Sequence, residues 1–186
     1  MKRAVDFVLA LIASLIFLPL MAVLAVVVKL TSKGPVLYWS DRVGRNNHIF
    51  SMPKLRTMRT DTPVVATHLL SDPNQYLTPV GGFLRRTSLD ELPQLWCILT
   101  GDMSVVGPRP ALYNQQNLIE LRTEHGVHTI RPGLTGWAQI NGRDELPIPD
   151  KVRLDADYLR MQSLFFDAKV MFLTFIKVAR REGVTH

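Results

Sequence analysis

From Phe7 to Val28 the chain runs for 22 residues without a charge. As a helix, a stretch of that length reaches across the hydrocarbon core of a bilayer. A secretory signal would have a shorter apolar region followed by a small-residue cleavage site; this segment instead runs into Val26-Val27-Val28-Lys29 and is expected to remain in the mature protein. Pro19 lies near its middle, lacks an N–H and clashes with the carbonyl of Leu15, so a kink or break is expected there. Lys2 and Arg3 precede the segment, and Lys29 and Lys33 follow it. Because Lys and Arg mark the cytoplasmic side, both flanks are satisfied only if the segment dips into the membrane and returns. A simple kinked span is the other reading, and the residues leave both open.

With 186 residues, 47% apolar and 20% charged, the chain suits one domain with a real core and is neither disordered nor fibrous. The net charge of +6 is local: residues 1–60 carry nine Lys/Arg against two Asp/Glu, and the remainder sums to −1. That basic end abuts the apolar segment and lacks interleaved exposed aromatics, which favours anionic membrane lipid or phosphorylated ligands over nucleic acid. Cys97 is the only cysteine, so no internal disulfide forms and the thiol reads as a small apolar residue.

Beyond the apolar segment, Val36–Trp39 and His48–Phe50 flank Gly44-Arg45-Asn46-Asn47, a hairpin whose turn residues tolerate positive φ. Residues 60–79 mix Asp, Thr, Pro, Ser and Asn without periodicity and read as a loop or hinge. Leu92–Leu99 reads as a helix ended by Gly101, and 111–124 as a second. Arg131-Pro-Gly-Leu-Thr-Gly-Trp reads as turn-rich. Asp150–Arg181 reads as one helix with a wide apolar arc and basic ends, fitting either the membrane interface or a core position.

Ser88-Leu-Asp-Glu-Leu-Pro carries the chemistry. Ser88 and Glu91 match a capping box, but Pro93 would then break a bond inside the helix, so a helix starting near Asp90 is more consistent. Acidic pairs at a helix start commonly only complement the macrodipole. With cations nearby, the same pair suits Mg²⁺, which takes hard oxygen ligands and shares them with substrate phosphates. The cations are Lys54 and Arg56, Arg85 and Arg86, Arg109, Arg131 and Arg143. Arg109 stands between Pro108 and Pro110, which fix the backbone from which its guanidinium can clamp phosphate.

Three runs, Ser88-Leu-Asp-Glu-Leu-Pro-Gln-Leu, Leu99-Thr-Gly-Asp-Met-Ser-Val-Val-Gly-Pro-Arg-Pro and Arg131-Pro-Gly-Leu-Thr-Gly-Trp-Ala-Gln-Ile-Asn-Gly-Arg, resemble in order those of the monotopic phosphoglycosyl transferases, the bacterial sugar transferase family. The resemblance covers nearly the whole chain. It implies a re-entrant membrane helix broken near Pro19, an Asp90–Glu91 dyad with Asp90 as nucleophile and a Mg²⁺ requirement, a Pro108-Arg109-Pro110 motif, and a basic residue at Lys54 or Arg56. It further implies an undecaprenyl-phosphate sugar phosphotransferase that moves a sugar-1-phosphate from a UDP-sugar to undecaprenyl phosphate, through an aspartyl-phosphosugar, at the cytoplasmic face of the bacterial inner membrane. Such a step opens the assembly of a polysaccharide or glycoprotein glycan. The expected fold class is α/β, mostly α: a re-entrant helix at 1–30 and a catalytic domain at 31–186, with a short β-hairpin and interfacial amphipathic helices. Lys54, Arg56, Arg109, Arg131 and Arg143 are the expected substrate-binding residues. A homo-oligomer and the identity of the sugar stay open. Two other classes use the same residues: a membrane-tethered metal phosphodiesterase, in which the dyad activates water, and a non-catalytic lipid-binding scaffold.

Overall fold

A computed structural model describes residues 1–63, 72–142 and 146–180. It is mostly helical, with two small sheets. Helix α1 (Lys2–Thr31) holds the apolar segment, and Pro19 lies inside it without interrupting it. The expected break is therefore absent as a gap in the helix. Proline removes one ladder hydrogen bond, and the Leu15 carbonyl it leaves is on an exposed turn, between long runs of good helix formers.

Strands β1 (Leu37–Val43) and β2 (Ile49–Leu55) form the expected antiparallel hairpin, in a register that sets Tyr38 opposite Lys54 and Ser40 opposite Met52. Its turn needs left-handed backbone, supplied by Asn46 at φ 54° and Asn47 at φ 59°. The short α2 (Gly81–Arg86) is followed by a 3-10 turn over Leu89–Gln94 and then by α3 (Leu95–Thr100), which ends on Gly101 at φ +102°. The helix expected over Leu92–Leu99 is thus 3-10 around Pro93 and α beyond it.

Strand β3 (Ser104–Val106) pairs in parallel with β4 (Gly133–Thr135). The second strand corrects the turn-rich reading of residues 131–137. Gly133 and Gly136 serve close backbone approach: a Cβ on either would lie 2.1 Å from the Gly107 main chain. Helix α4 spans only Gln116–Glu124, because the preceding segment is drawn to the hairpin edge, where Val43 N donates to Ala111 O. After α5 (Trp137–Ile140), the long carboxy-terminal helix expected over 150–181 is two helices, α6 (Ile148–Met161) and α7 (Leu164–Arg180). Ser163 divides them, its hydroxyl accepting from Phe166 N at 3.1 Å.

The packing of α1 fixes its relation to the rest. Ala10, near its start, joins Phe50, Met52, Leu95, Ile98 and Met103 in one core cluster. Leu24 and Val28, near its end, join Leu55 and Leu84 in another. Between them Leu11, Ile12, Leu15, Ile16, Leu18 and Val23 are exposed. The first turn is also pinned by polar contacts: Lys2 Nζ donates to Asp167 Oδ2, Arg3 to the carbonyls of Ile98 and Leu99, and Asp6 accepts from Ser104 Oγ and Val105 N. Both ends of the apolar helix therefore rest on the same body.

Candidate active site

The loop between α2 and α3 is built by its leucines. Leu89 and Leu92 pack against the cluster of Leu24, Val28, Leu55 and Leu84, which aligns the intervening Asp90 and Glu91 with β2. Ser88 enters the turn in the left-handed region, φ 56°, and makes no side-chain cap, so the capping box set aside on account of Pro93 does not form. A non-glycine residue held at positive φ is strained backbone of the kind found at functional turns.

Glu91 is half-buried, and its Oε1 accepts from Lys54 Nζ at 2.9 Å and from Arg109 Nη2 at 3.1 Å. Three separated stretches of sequence meet at that oxygen: β2, the 3-10 turn and the loop after β3. Burial alone would push the Glu91 carboxyl up, but Lys54 and Arg109 outweigh it and hold the group well below the usual carboxylate range. Asp90, 5% exposed, goes the other way. Burial pushes it up to about 6; Lys54, Arg85 and Arg109 pull against that, while the Glu91 charge adds to it. One acid of the pair is thus a fixed anion, and its neighbour is a comparatively basic carboxylate, still ionised at neutral pH.

The remaining expected residues divide. Arg109 is held by its own backbone: Pro108 O accepts from Gly133 N at 2.8 Å, Arg109 O from Arg122 Nη1 at 2.8 Å and Pro110 O from Arg42 Nη1 at 3.2 Å. Arg56 is engaged with main-chain carbonyls. It is 4% exposed, and its guanidinium donates to the carbonyls of Ser32, Lys33 and Pro35 and to Ser32 Oγ, fastening the link between α1 and β1. Arg131 likewise donates through Nε to Gly101 O at 2.6 Å, at the carboxy-terminal end of α3. Arg143 lies outside the described residues. Arg85, named by sequence only as one cation among several, interacts electrostatically with Asp90, Glu91 and Arg109. Arg42 and Arg122 were not anticipated, since nothing local distinguishes an arginine that bonds a distant carbonyl.

A family model for the bacterial sugar transferases matches residues 1–181. The chain belongs to that family. It is 44% identical over 95% of its length to the UDP-glucose:undecaprenyl-phosphate glucose-1-phosphate transferase of Escherichia coli, covering 40% of that protein. It is 42% identical over 93% of its length to the undecaprenyl-phosphate glucose phosphotransferase of Komagataeibacter xylinus, covering 35% of it. An uncharacterized sugar transferase of Bacillus subtilis, EpsL, is 42% identical over 85% of this chain, which spans 77% of that protein. The chain thus spans about two fifths of the first two relatives. The family's resemblance motifs contribute to the site unequally: the Asp-Glu pair and the Pro-Arg-Pro loop meet at Glu91, whereas the Arg131 run supplies β4 and the carbonyl-bound Arg131.

Proposed function

We propose that this member of the family transfers a sugar-1-phosphate from a UDP-sugar to undecaprenyl phosphate by double displacement, with Asp90 as the nucleophile. The observation that carries the reading is the convergence of Lys54 and Arg109 on Glu91 Oε1, at 2.9 and 3.1 Å, beside the buried Asp90; the upward push of burial on Asp90 fits it. A raised carboxylate that is still ionised at pH 7 is the better nucleophile of the two.

In the first half-reaction an Asp90 carboxylate oxygen attacks the sugar-bearing phosphorus. The bond from that phosphorus to the bridging oxygen breaks, and UMP leaves with the electron pair. In the second, a phosphate oxygen of undecaprenyl phosphate attacks the same phosphorus, the acyl-phosphate bond breaks, the Asp90 carboxylate returns and undecaprenyl-diphosphate-sugar is formed. Lys54 and Arg109 hold the developing charge on the phosphate oxygens, with Arg109 able to present two parallel N–H groups. Glu91 fixes both cations beside Asp90 between turnovers.

Two adjacent carboxylates fit Mg²⁺, which binds through one or two carboxylates and completes its set with water and phosphate oxygens. Asp90 and Glu91 would hold it; among the described residues no cluster of three or more His, Cys, Asp or Glu competes as a site. When bound it supplies neutralisation of the diphosphate charge.

The membrane reading rests on α1 and α7. A body on one side of a bilayer cannot hold both ends of a helix that crosses it. Contacts at Lys2, Arg3, Asp6 and Ala10 at one end, and at Leu24 and Val28 at the other, therefore support a helix whose two ends lie on the same side of the membrane. Helix α7 exposes Phe165, Phe172 and Phe175, with Lys169 and Lys177 on the same element, as a helix at the headgroup level of anionic lipid would. On this reading the dyad lies at the cytoplasmic face of the inner membrane, within reach of a lipid phosphate, and both features support it.

The test is UMP release by the protein in lipid nanodiscs with Mg²⁺ and a panel of UDP-sugars. Multiple turnovers should require undecaprenyl phosphate and select one sugar. Equal multiple-turnover release without the lipid phosphate would make the protein a phosphodiesterase, and no release with any sugar would leave a scaffold.

A further inference from the structure

Arg109 reaches Glu91 from a loop whose neighbours are both proline, so the loop has no N–H at positions 108 and 110 with which to anchor itself. Its position depends on what its carbonyls accept. The middle carbonyl, that of Arg109, is taken by Arg122 Nη1 at 2.8 Å. Arg122 is on α4, and its Nε and Nη2 both donate to Asp155 Oδ2 on α6, at 3.0 and 2.7 Å. Asp155 is 1% exposed and Arg122 8%. A guanidinium with three of its donors in use has one orientation, and the buried carboxylate keeps it there.

We propose that the buried Arg122–Asp155 pair is a positioning device for the transfer reaction, setting the Arg109 guanidinium through the Arg109 carbonyl so that it meets Glu91 and the substrate phosphates. The inference rests on the functional reading of Arg109 given above. The pair touches neither substrate nor dyad; the chain of contacts runs Asp155, Arg122, Arg109 carbonyl, Arg109 guanidinium, Glu91. An ion pair needed only to join α4 to α6 would have no reason to give its third donor to this loop. The two helices already share an apolar seam of Leu118, Val152 and Ile148 with Ala111.

Two variants separate positioning from folding. Arg122→Lys keeps the charge beside Asp155 and loses the fork. Arg122→Met combined with Asp155→Leu removes both charges together, an exchange that buried ion pairs commonly tolerate. Both should fold, with kcat for UMP release lowered roughly tenfold, as a displaced catalytic group costs, and KM changed less than twofold. In an Arg109→Lys background the same substitutions should change kcat by less than twofold, because the group they position is already gone. Equal tenfold losses in both backgrounds, or full activity in the Met/Leu protein, would overturn the proposal.

A readout independent of turnover distinguishes the two ideas. With arginine-labelled protein, the Arg109 side-chain Nε–H resonance, assigned by its loss in Arg109→Lys, should shift in Arg122→Lys. If Arg109→Lys proves fully active, the catalytic reading of Arg109 fails, and the resonance alone decides whether Arg122 sets its position. An unmoved resonance overturns the positioning device whatever the activity.

Discussion

Two polar clusters of this molecule, the one around Asp90 and Glu91 and the one at the first turn of α1, use the same residue types to opposite ends. At α1, Asp167 receives Lys2 Nζ at 2.5 Å and the Tyr158 hydroxyl at 2.6 Å, while Asp6 takes Ser104 Oγ and Val105 N. Each carboxylate there is matched by donors from another element, and the contacts tie the helix to α6, α7 and β3. At the dyad, cations from β2 and the Pro-Arg-Pro loop converge on Glu91, while Asp90 lies beside them raised to about 6. The first cluster is a fastener; the second keeps a basic carboxylate next to positive charge. Burial alone does not separate them, since Asp90 is 5% and Asp167 6% exposed. The difference lies in how the charge is partnered.

The contrast breaks most completely at Asp90. Asp90→Asn should lower UMP release by roughly three orders of magnitude or more, since an amide cannot attack phosphorus. It should also stabilise the protein. A carboxyl raised from 3.8 to about 6 on folding binds more protons folded than unfolded between those values, so stability falls as pH rises through that window and stays lower above it. Without divalent cation at pH 7.5, Asp90→Asn should recover up to about 3 kcal/mol, read as a higher Tm. For the same reason activity should fall as pH drops through about 6. Glu91→Gln should cost about a hundredfold while leaving a trace, because it releases Lys54 and Arg109 without removing the nucleophile. Arg109→Lys keeps charge but loses the fork and should lower kcat/KM by roughly ten- to a hundredfold with little change in Tm.

The fastener should respond in the reverse sense. Asp167→Asn leaves Lys2 only its longer contact with Asp6, at 3.8 Å, and should destabilise by roughly 1–3 kcal/mol, with activity per folded molecule within about twofold of the parent. If it instead abolished turnover at unchanged Tm, the division between the two clusters would be wrong. Cysteine labelling sharpens the account of the helix the fastener holds: probes near residues 2 and 178 should react from the same side of the membrane. Reaction of residue 2 only from the opposite side would return α1 to a simple span.

Much of this was legible in sequence for physical reasons. The hairpin announced itself because Gly44, Asn46 and Asn47 tolerate turn backbone, and the apolar segment because its length matches a bilayer. Arg109, the dyad and a basic residue at Lys54 or Arg56 were named from sequence, and Lys54 and Arg109 meet at Glu91 Oε1. What Arg56 and Arg131 bond was not legible, because an arginine reads the same whether phosphate or main-chain carbonyls accept from it. Gly133 and Gly136 misled because a turn and a close backbone approach both call for a missing Cβ. The Arg122–Asp155 pair joins residues 33 apart on two helices, and no local pattern marks such a contact.

The central claim is a covalent phosphosugar on Asp90. Protein in nanodiscs, with Mg²⁺ and its UDP-sugar but no undecaprenyl phosphate, should release UMP in a burst of up to one equivalent. The peptide containing Asp90 should gain the mass of a phosphosugar, and addition of undecaprenyl phosphate should discharge it to product. Absence of any burst until both substrates are bound, with the Asp90 peptide unmodified throughout, would contradict the account.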